Sequence, residues 1–350
     1  MSKDGIYKLI FYTFMLSLVS IFTIYTVINA NTSDEEVSAY TYWQNRIQKV
    51  GPAEAHEELA TKVDALGADE QHLEAHYFGG ALYRETGAEG IAVCDSRFLY
   101  GCLHEFVGSA LTLNGASYAP ILSELCVSEY GLENATTCHH GLGHGLLSYF
   151  GYNEDSFFDA LAVCEDLKDN DVLYGCRGGI FMEFNLRTML GEEQEVRKSE
   201  DLFYPCSLLS KDNELACNLW QPQWWRNYPF FIGPNGYESE EEIYQEMGEA
   251  CRNLSSEPKL NELCYRGIGE NLIFVINFDV PNIITLCNSI SSREEDQATC
   301  IIASAMRAVN WQGLDGVGEL CEALKGEYND KCHRDINDEY ERRKYFMRPH

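Results

Sequence analysis

The sequence predicts an all-α protein, an α/α solenoid of about eight helical hairpins, with one N-terminal transmembrane helix and seven of the hairpins closed by a disulfide. Three observations predict this fold class. Fourteen cysteines alternate between short and long intervals, apolar residues between them recur every three or four positions, and a long uncharged segment lies near the N-terminus. Such regular alternation is typical of a structural unit that repeats along the chain.

The first element is the uncharged segment. Residues 9–33 carry no charged side chain, and an apolar helix of about 20 residues is long enough to cross a bilayer. Lys3 and Lys8 precede the segment and acidic residues follow it, which predicts a cytoplasmic N-terminus and a single-pass protein with an extracytoplasmic body. A cleaved signal peptide, which would release a secreted protein, is the alternative.

The domain boundaries follow from this segment and from the helical pattern behind it. We predict a signal anchor at residues 1–33, a juxtamembrane linker at 34–51, a helical-repeat ectodomain at 52–346 and a short tail at 347–350.

The cysteines form seven couples. Members of a couple lie 8 to 13 residues apart, whereas 21 to 34 residues separate one couple from the next. We predict a disulfide within each couple, which requires an oxidising compartment and agrees with an extracytoplasmic body. The predicted pairs are Cys94–Cys102, Cys126–Cys138, Cys164–Cys176, Cys206–Cys217, Cys251–Cys264, Cys287–Cys300 and Cys321–Cys332.

Each couple is predicted to join the two helices of one hairpin. The first cysteine is placed in the last turn of the first helix and the second near the start of the second helix, where Cα atoms can come within the roughly 4.4–6.8 Å that a disulfide needs. Residues 52–66 and 69–87 predict a further hairpin without cysteines, in which Glu74 takes the position of the second cysteine. A glycine recurs three residues after several second cysteines, which we interpret as close contact between the two helices of one hairpin.

The segment HYFGGALYRETG, residues 76–87, resembles the second helix of a tetratricopeptide or Sel-one-like repeat. One disulfide per hairpin resembles the cysteine-rich Sel-one-like proteins. The resemblance implies a helical-repeat architecture from about residue 52 to residue 345. The full Trp-Leu-Gly-Tyr-Ala-Phe-Pro pattern of tetratricopeptides is absent, so no functional residue is transferred from either family.

Charge and architecture indicate the class of partner. A formal charge of −29 makes nucleic acid an unsuitable partner, and helical-repeat stacks expose extended surfaces that bind proteins or other macromolecules. We therefore predict a membrane-tethered scaffold for such a partner. An aromatic group marks the predicted binding surface, with filling of the core as its alternative: Trp220, Trp224, Trp225, Arg226 and Tyr228.

A second hypothesis is a metal-binding protein or metalloenzyme. His140 and His144 lie one helical turn apart in the segment CHHGLGHG, a spacing that lets two imidazoles share a metal ion. His76 and His104 take the same repeat position as His140, two residues after the second cysteine or its equivalent, and Glu183 is a carboxylate candidate. Such ligands suit zinc, copper or iron. The alternative is that these histidines pack between repeats without a metal.

Catalysis has no other support in the sequence. It contains no G-x-S-x-G motif and no phosphate-binding glycine loop, and the predicted pairing leaves no cysteine to act as a nucleophile. We therefore predict a binding protein rather than an enzyme.

Overall fold

The computed structural model describes residues 38–95, 97–189, 201–225, 239–275 and 278–343. Across these residues the chain is helical and contains no strand, which confirms the all-α prediction. Short 3-10 helices at Gly87–Val93, Arg97–Tyr100, Ala116–Tyr118 and Cys206–Leu208 complement the α-helices. The α-helices are α1 (38–50), α2 (Pro52–Val63), α3 (Ala68–Thr86), α4 (Gly101–Asn114), α5 (Ala119–Tyr130), α6 (Thr136–Phe150), α7 (Glu154–Asp166), α8 (Cys176–Met189), α9 (Lys211–Trp220), α10 (Pro222–Trp225), α11 (Glu240–Asn253), α12 (Pro258–Val275), α13 (Val280–Ser289), α14 (Glu294–Gln312), α15 (Gly318–Glu322) and α16 (Glu327–Arg343).

The helix boundaries follow local sequence signals. The side chains of Asn153, Ser239 and Asp279 cap α7, α11 and α13 by accepting a hydrogen bond from a backbone N–H in the first turn, which satisfies a donor that the helix itself leaves unpaired. Gly131 and Gly151 end α5 and α6 with φ angles of 75° and 104°, a backbone region that glycine enters without steric cost.

All seven predicted disulfides are confirmed, and no cysteine is free. Their Cα–Cα distances lie between 5.4 and 5.6 Å. The predicted placement also holds in outline: Cys164 lies in the last turn of α7, and Cys176 is the first residue of α8. Two units differ from a regular hairpin, because a 3-10 helix replaces the first α-helix next to Cys94 and next to Cys206.

The second helices of successive units pack against one another. They form one continuous layer, the second-helix row, which consists of α3, α4, α6, α8, α9, α12, α14 and α16. Each helix of the row contacts the next, and the shorter first elements pack beside their own second helix. Side chains at equivalent positions of neighbouring second helices are thereby brought side by side.

The recurring glycines allow close contact between neighbouring helices of the second-helix row. Our interpretation that they bring together the two helices of one hairpin was wrong. A Cβ on Gly179 in α8 would lie 1.9 Å from the carbonyl oxygen of His140 in α6, and one on Gly267 in α12 would lie 2.0 Å from that of Leu219 in α9. Both clashes are between neighbouring units, not between the two helices of one hairpin. Glycine is needed because the backbones of adjacent second helices touch, and a methyl group would separate them.

Residues 38–50 of the predicted linker at 34–51 pack against the helical body. Residues 38–50 form α1, whose Trp43 and Ile47 lie one turn apart and are buried in the core. The indole N–H of Trp43 donates to the carboxylate of Glu74 in α3 at 3.3 Å. Helix α1 therefore packs against α3, although it precedes the repeat predicted to begin at residue 52.

The predicted membrane anchor at 1–33 and the tail at 347–350 lie outside the described residues. Among the helices that are described, none combines the length and the apolar character that a membrane crossing requires.

Candidate metal centre

Five histidines from three consecutive helices of the second-helix row lie in contact with one another. We call this set the histidine row, and its members are His72 and His76 of α3, His104 of α4, and His140 and His144 of α6. Neighbouring ring centroids are 4.5 Å apart for His72 and His76, and 4.8 and 4.9 Å apart for the pairs that His144 forms with His104 and His140. The repeat places them together because equivalent positions of adjacent second helices are neighbours.

Three members of the histidine row converge well enough to hold one metal ion. One ring nitrogen from each of His72, His76 and His104 lies within 4.8 Å of the other two, and the Nε2 atoms of His72 and His76 are 3.0 Å apart. Two nitrogens bound to a tetrahedral zinc ion at about 2.05 Å would be about 3.3 Å apart. Small side-chain rotations would therefore bring all three nitrogens to a common ion.

A carboxylate lies beside this group. Glu105 of α4 has an oxygen 3.7 Å from Nδ1 of His76 and accepts a hydrogen bond from the Ser109 hydroxyl at 3.0 Å. It is close enough to orient His76 or to add an oxygen ligand.

His104 is the centre of the histidine row. Burial lowers the pKa of His104 well below its usual value, and the neighbouring imidazoles, His144 first among them, lower it further. Its imidazole is thus neutral at physiological pH, which is the form that binds metal.

Backbone carbonyls fix the tautomers of two other members. Nδ1 of His72 lies 2.8 Å from the carbonyl oxygen of Phe98, and Nδ1 of His140 lies 2.9 Å from that of Tyr174. A carbonyl only accepts, so each Nδ1 carries the hydrogen and, in the neutral ring, each Nε2 carries a lone pair. This second-sphere arrangement is common behind metal-binding histidines.

His144 is oriented by a carboxylate instead. Its Nδ1 lies 3.0 Å from Glu183 of α8, and Glu183 also accepts a hydrogen bond from the Tyr152 hydroxyl at 3.0 Å. The Nε2 atom of His144 is buried and has no hydrogen-bond partner among the described residues. A buried, unpartnered lone pair of this kind is costly unless a ligand satisfies it.

The predicted ligands are thus close together but differ in role. His76 and His104 belong to the convergent group, while His140 and His144 continue the histidine row and Glu183 orients His144. His72 was not among the predicted ligands. Its signal was the H-x3-H spacing of residues 72 and 76, which repeats that of 140 and 144.

Beyond the histidine row the same face carries a charged group. Tyr174 donates a hydrogen bond to Glu270 of α12, and the Arg266 guanidinium donates to the same carboxylate oxygen at 3.0 Å. Burial and the nearby Glu270 raise the pKa of Tyr174 well above its ordinary value. Glu270, at the repeat position of His144, is therefore paired with an arginine and a tyrosine and is not part of the histidine row.

The predicted aromatic binding surface is not supported by the burial of its tryptophans. Trp220, Trp224 and Trp225 are 5%, 2% and 0% exposed, so they fill the core, as the alternative interpretation held. A binding surface needs exposed side chains, whereas burial of these indoles stabilises the fold by removing apolar area from water. Arg226 and Tyr228 lie outside the described residues.

Comparison with protein-family models, curated proteins and solved structures finds no match for this chain. The resemblance to cysteine-rich Sel-one-like repeats therefore stays a prediction.

Proposed function

We propose that this chain is an extracytoplasmic, membrane-tethered helical-repeat protein that binds a divalent transition-metal ion, zinc, copper or iron, through His72, His76 and His104. The observation that carries the proposal is the convergence of three imidazole nitrogens from two adjacent second helices within 4.8 Å. Three neutral nitrogen ligands leave at least one coordination position for water, for a carboxylate or for a substrate.

Two further features support the metal over simple packing of histidines. The pKa of His104 is held low by burial, so we expect protons not to compete with a metal ion for its imidazole at physiological pH. The Nδ1 atom of His72 is tied to a carbonyl, so its Nε2 lone pair faces its partner His76.

The location follows from the disulfides. Seven disulfides persist only in an oxidising environment, and the uncharged segment at 9–33 supplies the proposed anchor. A protein or other macromolecular partner stays a second proposal. It rests on the helical-repeat architecture, and the tryptophans predicted to mark its binding surface are buried, so the metal centre is the better supported of the two.

The test is metal binding by the full chain, purified without a polyhistidine tag and stripped with a chelator. Titration with Zn²⁺ in a calorimeter is expected to show one ion per chain, and Co²⁺ is expected to give the absorption of a tetrahedral nitrogen site. The double variant His72→Ala/His76→Ala is expected to lose both signals.

The matched control is His333→Ala. His333 is partly exposed and pairs with Glu322, far along the chain from the histidine row. Binding by His333→Ala should equal that of the wild type. Absence of stoichiometric metal from the wild type, or unchanged binding by the double variant, would contradict the proposal.

A further inference from the structure

Met182 of α8 lies against the far end of the histidine row. Its Sδ atom is 3.3 Å from Nε2 of His140. His140 donates its Nδ1 hydrogen to the carbonyl of Tyr174, so in the neutral ring Nε2 is an acceptor. A thioether sulfur has no hydrogen to donate, and two lone-pair atoms therefore face each other at contact distance.

The Nε2 atom of His144 is a second ring nitrogen without a hydrogen-bond donor in the described part of this region. His144 is held through Nδ1 by Glu183, its Nε2 is buried without a hydrogen-bond partner among the described residues, and its ring centroid is 4.9 Å from that of His140. The Sδ atom of Met182 thus contacts His140, and the ring of His144 lies beside that of His140 on α6. A cation bound between α6 and α8 at this place would have the two imidazoles and the thioether as its ligands.

The spacing agrees with a shared ion. A nitrogen and a sulfur bound to one ion at about 2.0 and 2.3 Å with a tetrahedral angle would be about 3.5 Å apart. The observed separation of 3.3 Å is close to this value. The close packing of Gly143 and Gly179 holds α6 and α8 together and sets this distance.

The ligand types determine the class of metal. Thioether sulfur is a soft ligand that selects copper(I) over zinc, magnesium or calcium, and imidazole accompanies it readily. We infer that His140, His144 and Met182 form a second metal site that binds a soft monovalent ion of the copper(I) class. This inference goes beyond the proposed function and does not depend on it, because His72 and His76 contribute nothing to the second site.

Silver(I) is the probe, because it is a soft monovalent ion that needs no reductant and so leaves the disulfides intact. The full chain, saturated with Zn²⁺, is titrated with Ag⁺ in chloride-free buffer. The wild type is expected to bind one Ag⁺ tightly. Met182→Leu, which keeps the apolar volume, is expected to weaken this binding by roughly tenfold or more while Zn²⁺ binding stays unchanged.

The matched control is Met306→Leu. Met306 of α14 takes the same repeat position, six residues after the second cysteine of its unit, and is partly buried like Met182. Met306→Leu should bind Ag⁺ like the wild type. The same holds for His72→Ala/His76→Ala, so loss of Zn²⁺ with retained Ag⁺ binding separates the two sites.

Two outcomes would overturn the inference. If Met182→Leu and Met306→Leu both titrate like the wild type, the contact at Met182 is a hydrogen bond from an Nε2–H of His140 to sulfur. If Ag⁺ binding disappears with His72→Ala/His76→Ala while Met182→Leu leaves it intact, Ag⁺ occupies only the site of the proposed function.

Discussion

Substitution of Gly143 by alanine is the sharpest test of how the second-helix row is held together. The added methyl carbon would lie 2.0 Å from the carbonyl oxygen of Cys176, whereas ordinary non-bonded contacts begin at about 3.5 Å. The obstacle is backbone in a packed helix and cannot rotate away. Helices α6 and α8 must therefore separate by roughly 1.5 Å, and a gap of only 0.5–1 Å already forfeits about a quarter to a half of each dispersion contact.

The expected cost follows from these terms. Overpacking destabilises proteins by about 1–3 kcal/mol, and a backbone clash places Gly143→Ala near 3 kcal/mol. The higher helix propensity of alanine offsets about 1 kcal/mol of this cost. The net expectation is a loss of about 2 kcal/mol in the free energy of unfolding.

Gly108→Ala is the matched control. Gly108 lies inside α4, and its added Cβ would meet only the Glu105 side chain, at 3.8 Å. Helix propensity should then act alone and stabilise the protein by up to about 1 kcal/mol. Urea unfolding of the oxidised protein, followed by circular dichroism, measures both. The reasoning is refuted if Gly143→Ala is as stable as Gly108→Ala.

Four further predictions concern the disulfides, the charged groups and the metal. Replacing Cys287 and Cys300 by alanine should lower stability by about 3 kcal/mol in a urea titration, because the chain-entropy model assigns that amount to a loop of this size; an unchanged midpoint would contradict it. In the metal-free protein, the pKa of His104 is lower in the folded than in the unfolded chain, so below about pH 6.5 the unfolded chain binds a proton that the folded chain does not. The free energy of unfolding should therefore fall as the pH falls, with a slope of up to ~1.4 kcal/mol per pH unit from this group. His104→Asn should reduce that slope, and an equal slope would argue against it. Arg266→Met should cost about 3–5 kcal/mol, because it removes the cation beside the buried Glu270 carboxylate; thermal and urea unfolding would show it, and unchanged stability would contradict it. Zn²⁺ at about 100 times its Kd should stabilise the wild type by about 2.7 kcal/mol, and the His72→Ala/His76→Ala variant should show no such shift.

The sequence predicted the local features of this protein correctly. The cysteine couples identified every disulfide, because each bridge closes a loop of at most 13 residues and local geometry leaves few alternatives. The H-x3-H spacings placed pairs of imidazoles on one helical face for the same reason. Helical periodicity likewise predicted the all-α class.

Contacts between units needed the tertiary structure. The sequence alone did not show that Gly143 and Gly179 face neighbouring second helices, or that His72 joins the convergent histidines, because both depend on the offset between adjacent helices. The burial of Trp220 and Trp225 was equally undetermined, since an indole suits a core and a surface alike.

Composition and short-range spacing thus determined which residues pair within a unit, because chain connectivity holds those residues close together. The packing of one second helix against the next decided which histidines meet, which groups orient His72, His140 and His144, and where the thioether of Met182 lies. Those contacts depend on rotations and offsets of a fraction of a helical turn, which are set only when the backbones of neighbouring units come into contact.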